Sequence, residues 1–586
     1  CDFADIFEVK ARSVPARPLV GRATEDHAIV LTYQRGSFRR RCRIRFESRT
    51  PPRFAGSLVA FDLDLRHDTE WRCCIDVIPE IDGDMVAFVG DPHEPERLPV
   101  EPPTTHAAGP PELVRALDRS GSDLASLALP LDRGDPLVAA GAPWFLTLFG
   151  RDPLVTGLMT GLLGRWVTDG ALRAVGDLQA SERDDPRDAE PGKLPHELRR
   201  GELAHLGAIP HTPYYGTHDA PALYCLALWN AWRWTGDDGL LDRHLETARR
   251  ALRWCDELGD RDGDGLQEYA TRSDRGYDNQ GWKDAGDAIV NEDGSQARPP
   301  IATVELQGYL FAARLAMAEL LEWTGGTGEG ERLRSEAGAL RDLVEERFWI
   351  EELGSYALAL DGDKRQVRSV ASNAGHLLWC GLPDADRARR VTARLLEPDM
   401  SSGWGLRTLS SAHPAYNPLS YQLGSVWPHD TALAAAGMAR YGFRDEAWRL
   451  ARALLDAAGA FEDDRLPELF CGFDRSEDLP VPYREANVPQ AWAAAAPPLI
   501  VQTILGLVPD APRGGCWLSP RLPDEIPRLD VGGIHLGAAV LDLRLRRDGA
   551  DTDVRWASSS TLALRRGAPG APLWGAPPQP ASNRSA

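Results

Sequence analysis

The 586 residues offer no paired cysteines: the nine, at positions 1, 42, 73, 74, 225, 255, 380, 471 and 516, include no CxxC spacing and are odd in number. That excludes a disulfide framework and a cysteine zinc site, and reads as buried reduced thiols. No uninterrupted apolar run approaches the ~18 residues of a membrane span, and no charged-then-apolar leader opens the chain. The expectation is a cytoplasmic protein with no membrane partner. Positive charge is in deficit: 66 Lys and Arg against 87 Asp and Glu leave a formal net charge of −21, which repels a phosphate backbone or anionic lipid. Nucleic acid is therefore excluded as a partner. Walker-type loops, a GxGxxG followed by a suitable acid, and a GxSxG elbow are all missing, so neither nucleotide chemistry nor a serine hydrolase has support.

What is present is ordinary globular usage, 43% hydrophobic and 26% charged, in a chain long enough for roughly two to four units. It begins with Cys1 instead of Met, and residues 3 to 9 (FADIFEV) read as a strand in mid-sheet, so an N-terminally incomplete polypeptide is expected. Up to about residue 105, runs such as AIVLTYQR, FRRRCRIRFE and MVAFVG alternate with a period of two, predicting a β-sandwich-like domain over 1–105, incomplete at its start.

From about 111 the period changes to 3.6. Amphipathic segments are expected at 111–129, 151–163, 170–181, 219–234, 239–258, 305–323, 330–348, 369–380, 384–396, 430–441, 444–458 and 490–506. Links of roughly 2 to 6 residues alternate with links of about 20 or more, as antiparallel hairpins with all their long loops at one end would require. Six hairpins closing into a ring predict a mainly α protein, an (α/α)6 toroid over 106–508. The rival, an open superhelix of helix pairs, would show a recurring period, and none is visible. Residues 509–566 turn β-like again, as a small C-terminal β-rich segment. The last stretch, 567–586, is rich in Pro, Gly, Ala and Ser and is expected to be a disordered tail.

The long loops collect aromatic and polar residues, and the 18 Trp are suited to stacking on the flat apolar faces of sugars. Carbohydrate is the physical inference. A glycosidic bond is cut between two carboxyl groups, one protonated and one ionised. Asp284 follows Trp282, whose indole would help keep an acid protonated; its rival is Asp287. Glu468 is flanked by Pro467, Leu469 and Phe470 as a solitary carboxylate. Asp152, Asp219 and Asp430 read more simply as helix N-caps, Asp287 as a turn cap, and Asp474 as a partner of Arg475. Asp260, Asp262, Asp264 and Gly265 resemble the start of a calcium loop, but Thr271 stands twelfth where a bidentate Glu is expected. His196 with Glu197, and His211 with His218, lack helical zinc spacing. No metal or cofactor is expected.

Taken together, GAPWFLTLFGRD (141–152), KLPHELRRGE (193–202), TPYYGTHDA (212–220), RSDRGYDNQGWKDAGDA (272–288), NPLSYQLGSVWPHD (417–430), LPELFCGF (466–473) and VPQAW (488–492) resemble the bacterial amylo-α-1,6-glucosidase or glycogen-debranching-like family. The resemblance implies a six-hairpin glycosidase that inverts anomeric configuration, with a β-sandwich ahead of it. By motif it makes Asp284 the general acid and Glu468 the general base. It places Trp144, Arg151, Asp152, Trp282 and Trp427 at the glycone subsite, with Tyr214, Tyr215, His218 and Gln490 around them. The implied partner is an α-linked oligosaccharide or small α-glycoside. Two other readings stand beside it: a mannosylglycerate or glucosylglycerate hydrolase on the same scaffold, and a non-catalytic carbohydrate-binding or helical scaffold protein.

Overall fold

The computed structural model describes residues 2–17, 20–56, 58–81, 84–85 (backbone only), 100, 104–476, 479–549 and 551–567. The predicted tail beyond 567, and most of the MVAFVG run, lie outside the described residues.

The chain divides into two compact units, 1–98 with 199–212, and 99–198 with 213–586. The smaller unit holds a five-stranded antiparallel sheet, Gly21–Glu25, Ala28–Arg35, Phe38–Ser48, Cys73–Ile81 and Asp84–Met85 in sequential order. A short hairpin, Arg53–Ala55 with Leu58–Ala60, accompanies it. Among the described residues these are the unit's two sheets, where a sandwich-like domain incomplete at its start was expected. Residues 3 to 9 are not a strand either, because Ile6–Lys10 is a helix. Asp5 accepts from the Phe7 backbone N–H while Glu8 accepts from the Asp5 N–H, a capping box strong enough to override the β-like composition of FADIFEV. Glu202, from the 199–212 segment, joins this unit by accepting from Arg17, Tyr33 and Arg35.

The larger unit is helical, and its helices lie where the 3.6 period put them. They are Pro111–Ser126, Arg151–Met159, Trp166–Gly176, Ala220–Thr235, Asp238–Trp254, Val304–Trp323, Thr327–Arg347, Asn373–Cys380, Ala385–Leu395, Pro428–Arg440, Arg444–Ala460, and the Ala491–Ala494 and Ala496–Leu505 pair. They sort into two kinds. Ala220–Thr235 is buried at every position up to Trp234, and Asn373–Cys380 along its whole length. Asp238–Trp254, the hairpin partner of the former, buries only one stripe, including Leu241, Ala248 and Leu252, as an outer helix should. Successive buried helices touch in order: Arg151–Met159, Ala220–Thr235, Val304–Trp323, Asn373–Cys380, Pro428–Arg440 and Ala496–Leu505, the last of which touches the first again.

Beyond 506 the chain forms two small sheets. One joins Leu507–Asp510, Gly515–Leu518 and Ala563–Arg566; the other orders Asp551–Ser558, Ala539–Asp548, Arg528–Leu536 and His106–Ala108. None of the described helices is long and apolar enough to cross a membrane. The eight described cysteines are all free thiols.

Candidate active site

The loops joining the helices converge on Asp284. Its segment is poorly helical and is held from both sides by one buried amide: Gln422 Oε1 accepts from the Ala285 N–H, and Gln422 Nε2 donates to the Trp282 carbonyl. Lys283, also buried, reaches the opposite way and donates to the Thr408 carbonyl at 2.6 Å. Burial pulls its ammonium down to about 8. The Asp284 carboxylate is left facing Arg151 Nη2 and His196 Nε2, each at 3.7 Å. Its side chain keeps 31% of its surface exposed, the open side on which a ligand would sit, while protein surrounds the rest. Desolvation pushes its pKa up to about 6; Arg151 opposes that rise, and the charges of Asp219 and Glu197 reinforce it. The rival Asp287 lies exposed.

Arg151 organises this side of the site. Buried at the start of its helix, it donates to Asp219 Oδ2 at 2.8 Å and to the Gly281 carbonyl. Asp219 stands in the N-cap position of Ala220–Thr235, yet its carboxylate serves Arg151 and accepts from the Thr217 hydroxyl at 2.5 Å. Asp152 and Asp430 are not caps either, because Gly150 and Trp427 hold those positions. Asp430 accepts from His376 Nε2 at 2.7 Å. Asp152 is buried, and desolvation carries its pKa up to about 8, with Asp284 and Glu468 adding repulsion and Arg151 opposing.

Glu468 is 1% exposed. Tyr421 donates its hydroxyl to Oε1 at 2.6 Å, while the Asn487 backbone N–H and side-chain amide donate to Oε2 at 2.9 and 2.7 Å. Asn487 Oδ1 in turn accepts from the Trp144 N–H at 2.9 Å, tying the 141–152 loop to the 466–473 loop. Sequence reasoning missed Asn487; the only available signal was its place next to VPQAW. Asp152 and Tyr421 each feel the charges of both Asp284 and Glu468, so the two carboxyls share one electrostatic neighbourhood.

Aromatic rings gather around these acids. Trp282 stacks on His376 and meets Trp427 and His429 edge-on, and His429 stacks on Trp492 with ring centres 3.9 Å apart. Buried donors here lack partners among the described residues: Trp282 Nε1, Trp492 Nε1 and Gln490 Nε2, with His429 Nδ1 as a further orphan. Unmet donors in a buried aromatic cluster are what a bound polyol would satisfy.

Three residues expected around the glycone are used otherwise. Tyr214 donates to Asp188 Oδ2 at 2.8 Å, although its ring packs against His196 and Tyr277. Tyr215 donates to the Leu178 carbonyl and belongs to a separate small cluster with Ala180 and Ala189. His218 is buried against Trp254 and Tyr269 with its Nε2 on the Gly259 carbonyl, and burial lowers its pKa to about 3. Asp474 pairs with Arg407 at 2.5 Å instead of Arg475, which turns to Asp456 and lies over Trp404.

Residues 184–474, which include Asp284 and Glu468, match the family described as the mannosylglycerate hydrolase MGH1-like glycoside hydrolase domain. Residues 1–76 match the N-terminal domain of some glycogen debranching enzymes. A mannosylglycerate hydrolase of Rubrobacter radiotolerans is 29% identical over 158 residues, a match covering 26% of this chain and 36% of that protein. Among solved structures, a sialidase superposes with a TM-score of 0.58 at 10% identity, over 92% of this chain and 60% of that one. A GH78 family rhamnosidase of Bacillus sp. GL1 superposes with a TM-score of 0.60 at 13% identity, over 95% and 55% respectively. At those identities the two structures speak for the fold alone. The central match and the R. radiotolerans relative carry the same description, and the chain holds a glycoside hydrolase domain behind a segment similar to the N-terminal domain of some glycogen debranching enzymes.

Proposed function

We propose that the protein is an inverting glycoside hydrolase that removes α-linked glucosyl units, its helical unit a closed (α/α)6 toroid with the reacting groups at one mouth. The contact order of the buried helices, which returns to its start, supports the toroid. Asp284 acts as general acid, giving its proton to the glycosidic oxygen. Glu468 acts as general base, taking a proton from the water that attacks the opposite face of the anomeric carbon. Such a pair stands roughly 6.5–9.5 Å apart to admit that water. The observation that carries this reading is the placement of two carboxyls: Asp284 faces Arg151 and His196 with one side open, and Glu468 is buried and held by three hydrogen bonds from Tyr421 and Asn487; the upward shift that burial gives Asp284 supports it. Trp144, Arg151, Asp152, Trp282, Trp427 and Gln490 hold the glycone, and the unmet donors of Trp282 and Gln490 are available to sugar hydroxyls.

A second reading, a mannosylglycerate- or glucosylglycerate-type hydrolase on the same scaffold, is favoured by the R. radiotolerans relative. A panel of α-linked gluco- and manno-substrates, followed by anomer-resolved NMR of the first product, separates the two and reports stereochemistry at the same time. Inversion is expected, and retention would overturn the acid–base assignment. Asp284→Asn should lower kcat by about 10²–10⁴-fold while substrate still binds; undiminished turnover would remove Asp284 from the acid role, and sugar binding by the wild type with no turnover would favour a binding protein whose acids do no chemistry.

A further inference from the structure

After the helix Asp238–Trp254, Cys255–Gly259 widens into a π turn and releases the loop Asp260–Glu268. Asp260 shapes this loop: its Oδ1 accepts from the N–H groups of Gly263 and Asp264 at 2.8 and 3.2 Å, and its Oδ2 from that of Gly265 at 2.8 Å. Gly265 adopts φ 90°, a left-handed turn that glycine enters without a steric penalty. One carboxylate oxygen from each of Asp260, Asp262 and Glu268 lies within 4.8 Å of the other two. Thr271, in the twelfth place, is committed elsewhere and donates to Asp188. Glu268 supplies the buried carboxylate instead.

A second segment reaches into the same cluster. The hairpin of Ala359–Leu360 and Gln366–Val367 carries Lys364 at its turn, and the ammonium lies 3.0 Å from Asp262, 2.9 Å from Asp264 and in contact with Glu268. Four carboxylates against one ammonium leave a formal excess of negative charge. Glu268 is 1% exposed, and while its Oε2 takes Lys364, its Oε1 has no partner among the described residues. A buried carboxylate oxygen left without a donor is costly. All the available ligands are oxygens, the set that hard divalent cations take and soft ones do not.

We propose that Asp260, Asp262, Asp264 and Glu268 form a calcium-class cation site in which the Lys364 ammonium holds the ligand oxygens in the ion's absence and is displaced when the ion binds. The orphaned Glu268 Oε1 becomes a ligand, and Lys364 swings toward solvent. Both arms of the site lead to the segment bearing Asp284. Tyr269 exchanges backbone hydrogen bonds with Ile301, and Ala302–Thr303 pairs with Ala359–Leu360. An ion joining loop and hairpin therefore secures both ends of residues 269–301.

The test is a calcium titration of the chelator-stripped full chain by calorimetry, with Tm followed in parallel, for the wild type, Lys364→Gln and the Asp262→Asn/Asp264→Asn double variant. The wild type should bind one Ca²⁺ with Kd at or below ~1 mM and gain Tm. Lys364→Gln should bind at least about tenfold more tightly, because no ammonium competes. The double variant should lose binding while keeping the wild-type circular dichroism. No calcium binding by the wild type at ~10 mM would overturn the proposal. So would a Lys364→Gln variant that binds no more tightly, which would make the lysine a permanent structural cation. Neither result bears on the roles of Asp284 and Glu468, which the product anomer tests separately.

Discussion

The protonation state of Asp284 is set by a contest among its neighbours. Desolvation raises its pKa, Arg151 lowers it, and Asp219 raises it again while sharing the same guanidinium. Replacing Asp219 by Asn removes a repelling charge from Asp284 and frees Arg151 to attract it, and both changes lower its pKa. In the proposed acid role Asp284 must be protonated to act, so the alkaline limb of kcat/KM should lie near pH 6 in the wild type and move to lower pH in Asp219→Asn. A pH–rate profile reads this directly, and a limb that stays put or moves upward would separate Asp219 from the acid. Asp152, another carboxyl under the same influences, was read from sequence as a cap because its position in the first turn of a helix is all that spacing reveals. Its desolvation depends on loops from distant parts of the chain. The same holds for Asn487, whose two contacts join residues 343 and 19 positions away.

Helices were legible in the sequence because each outer helix carries an apolar stripe and each inner one an apolar run, and these patterns survive any tertiary arrangement. The helix Ile6–Lys10 was not legible, since five residues make barely more than one turn and only the Asp5–Glu8 capping pair marks it. Loop-to-loop packing was equally hidden, although it aims Glu468. The 466–473 loop pairs with the 417–427 loop through Val426 and Phe470, each N–H donating to the other's carbonyl. At Gly472 the backbones come so close that a Cβ would stand 1.7 Å from the Gly424 carbonyl oxygen. Gly472→Ala must therefore push the two loops apart, and Tyr421 away from Glu468 with them. A stability loss of about 1–3 kcal/mol is expected, read as a lower Tm, together with a fall in kcat exceeding that in KM. Wild-type kcat at a lowered Tm would mean that the loops relax without disturbing the base role proposed for Glu468.

For the molecule as a whole, the buried ionisable groups give stability a pH dependence whose sign can be worked out by region. His218 and His429 have pKa values near 3 in the fold and about 6.5 when unfolded. Between those values the unfolded chain binds more protons, so stability rises with pH. Asp152 runs the other way, from about 3.9 unfolded to about 8 in the fold. There the folded chain holds the extra proton, and stability falls as pH rises. Asp169 and Asp284, at about 6, have made most of their contribution about half a unit above that pH, and the histidines, half-protonated in the unfolded chain at about 6.5, finish about a unit above that. Lys193 and Lys283, lowered to about 8, act mainly above it. Between pH 6.5 and 8, Asp152 is therefore the main one of these groups that lowers stability as pH rises, set against the tail of the histidines and the onset of the lysines. In Asp152→Asn, an uncharged side chain of the same shape, Tm should therefore rise more, or fall less, across that interval than in the wild type. Scanning calorimetry at half-unit steps measures it, and an unchanged slope would mean that Asp152 is already ionised at neutral pH and takes its place in the site as an anion.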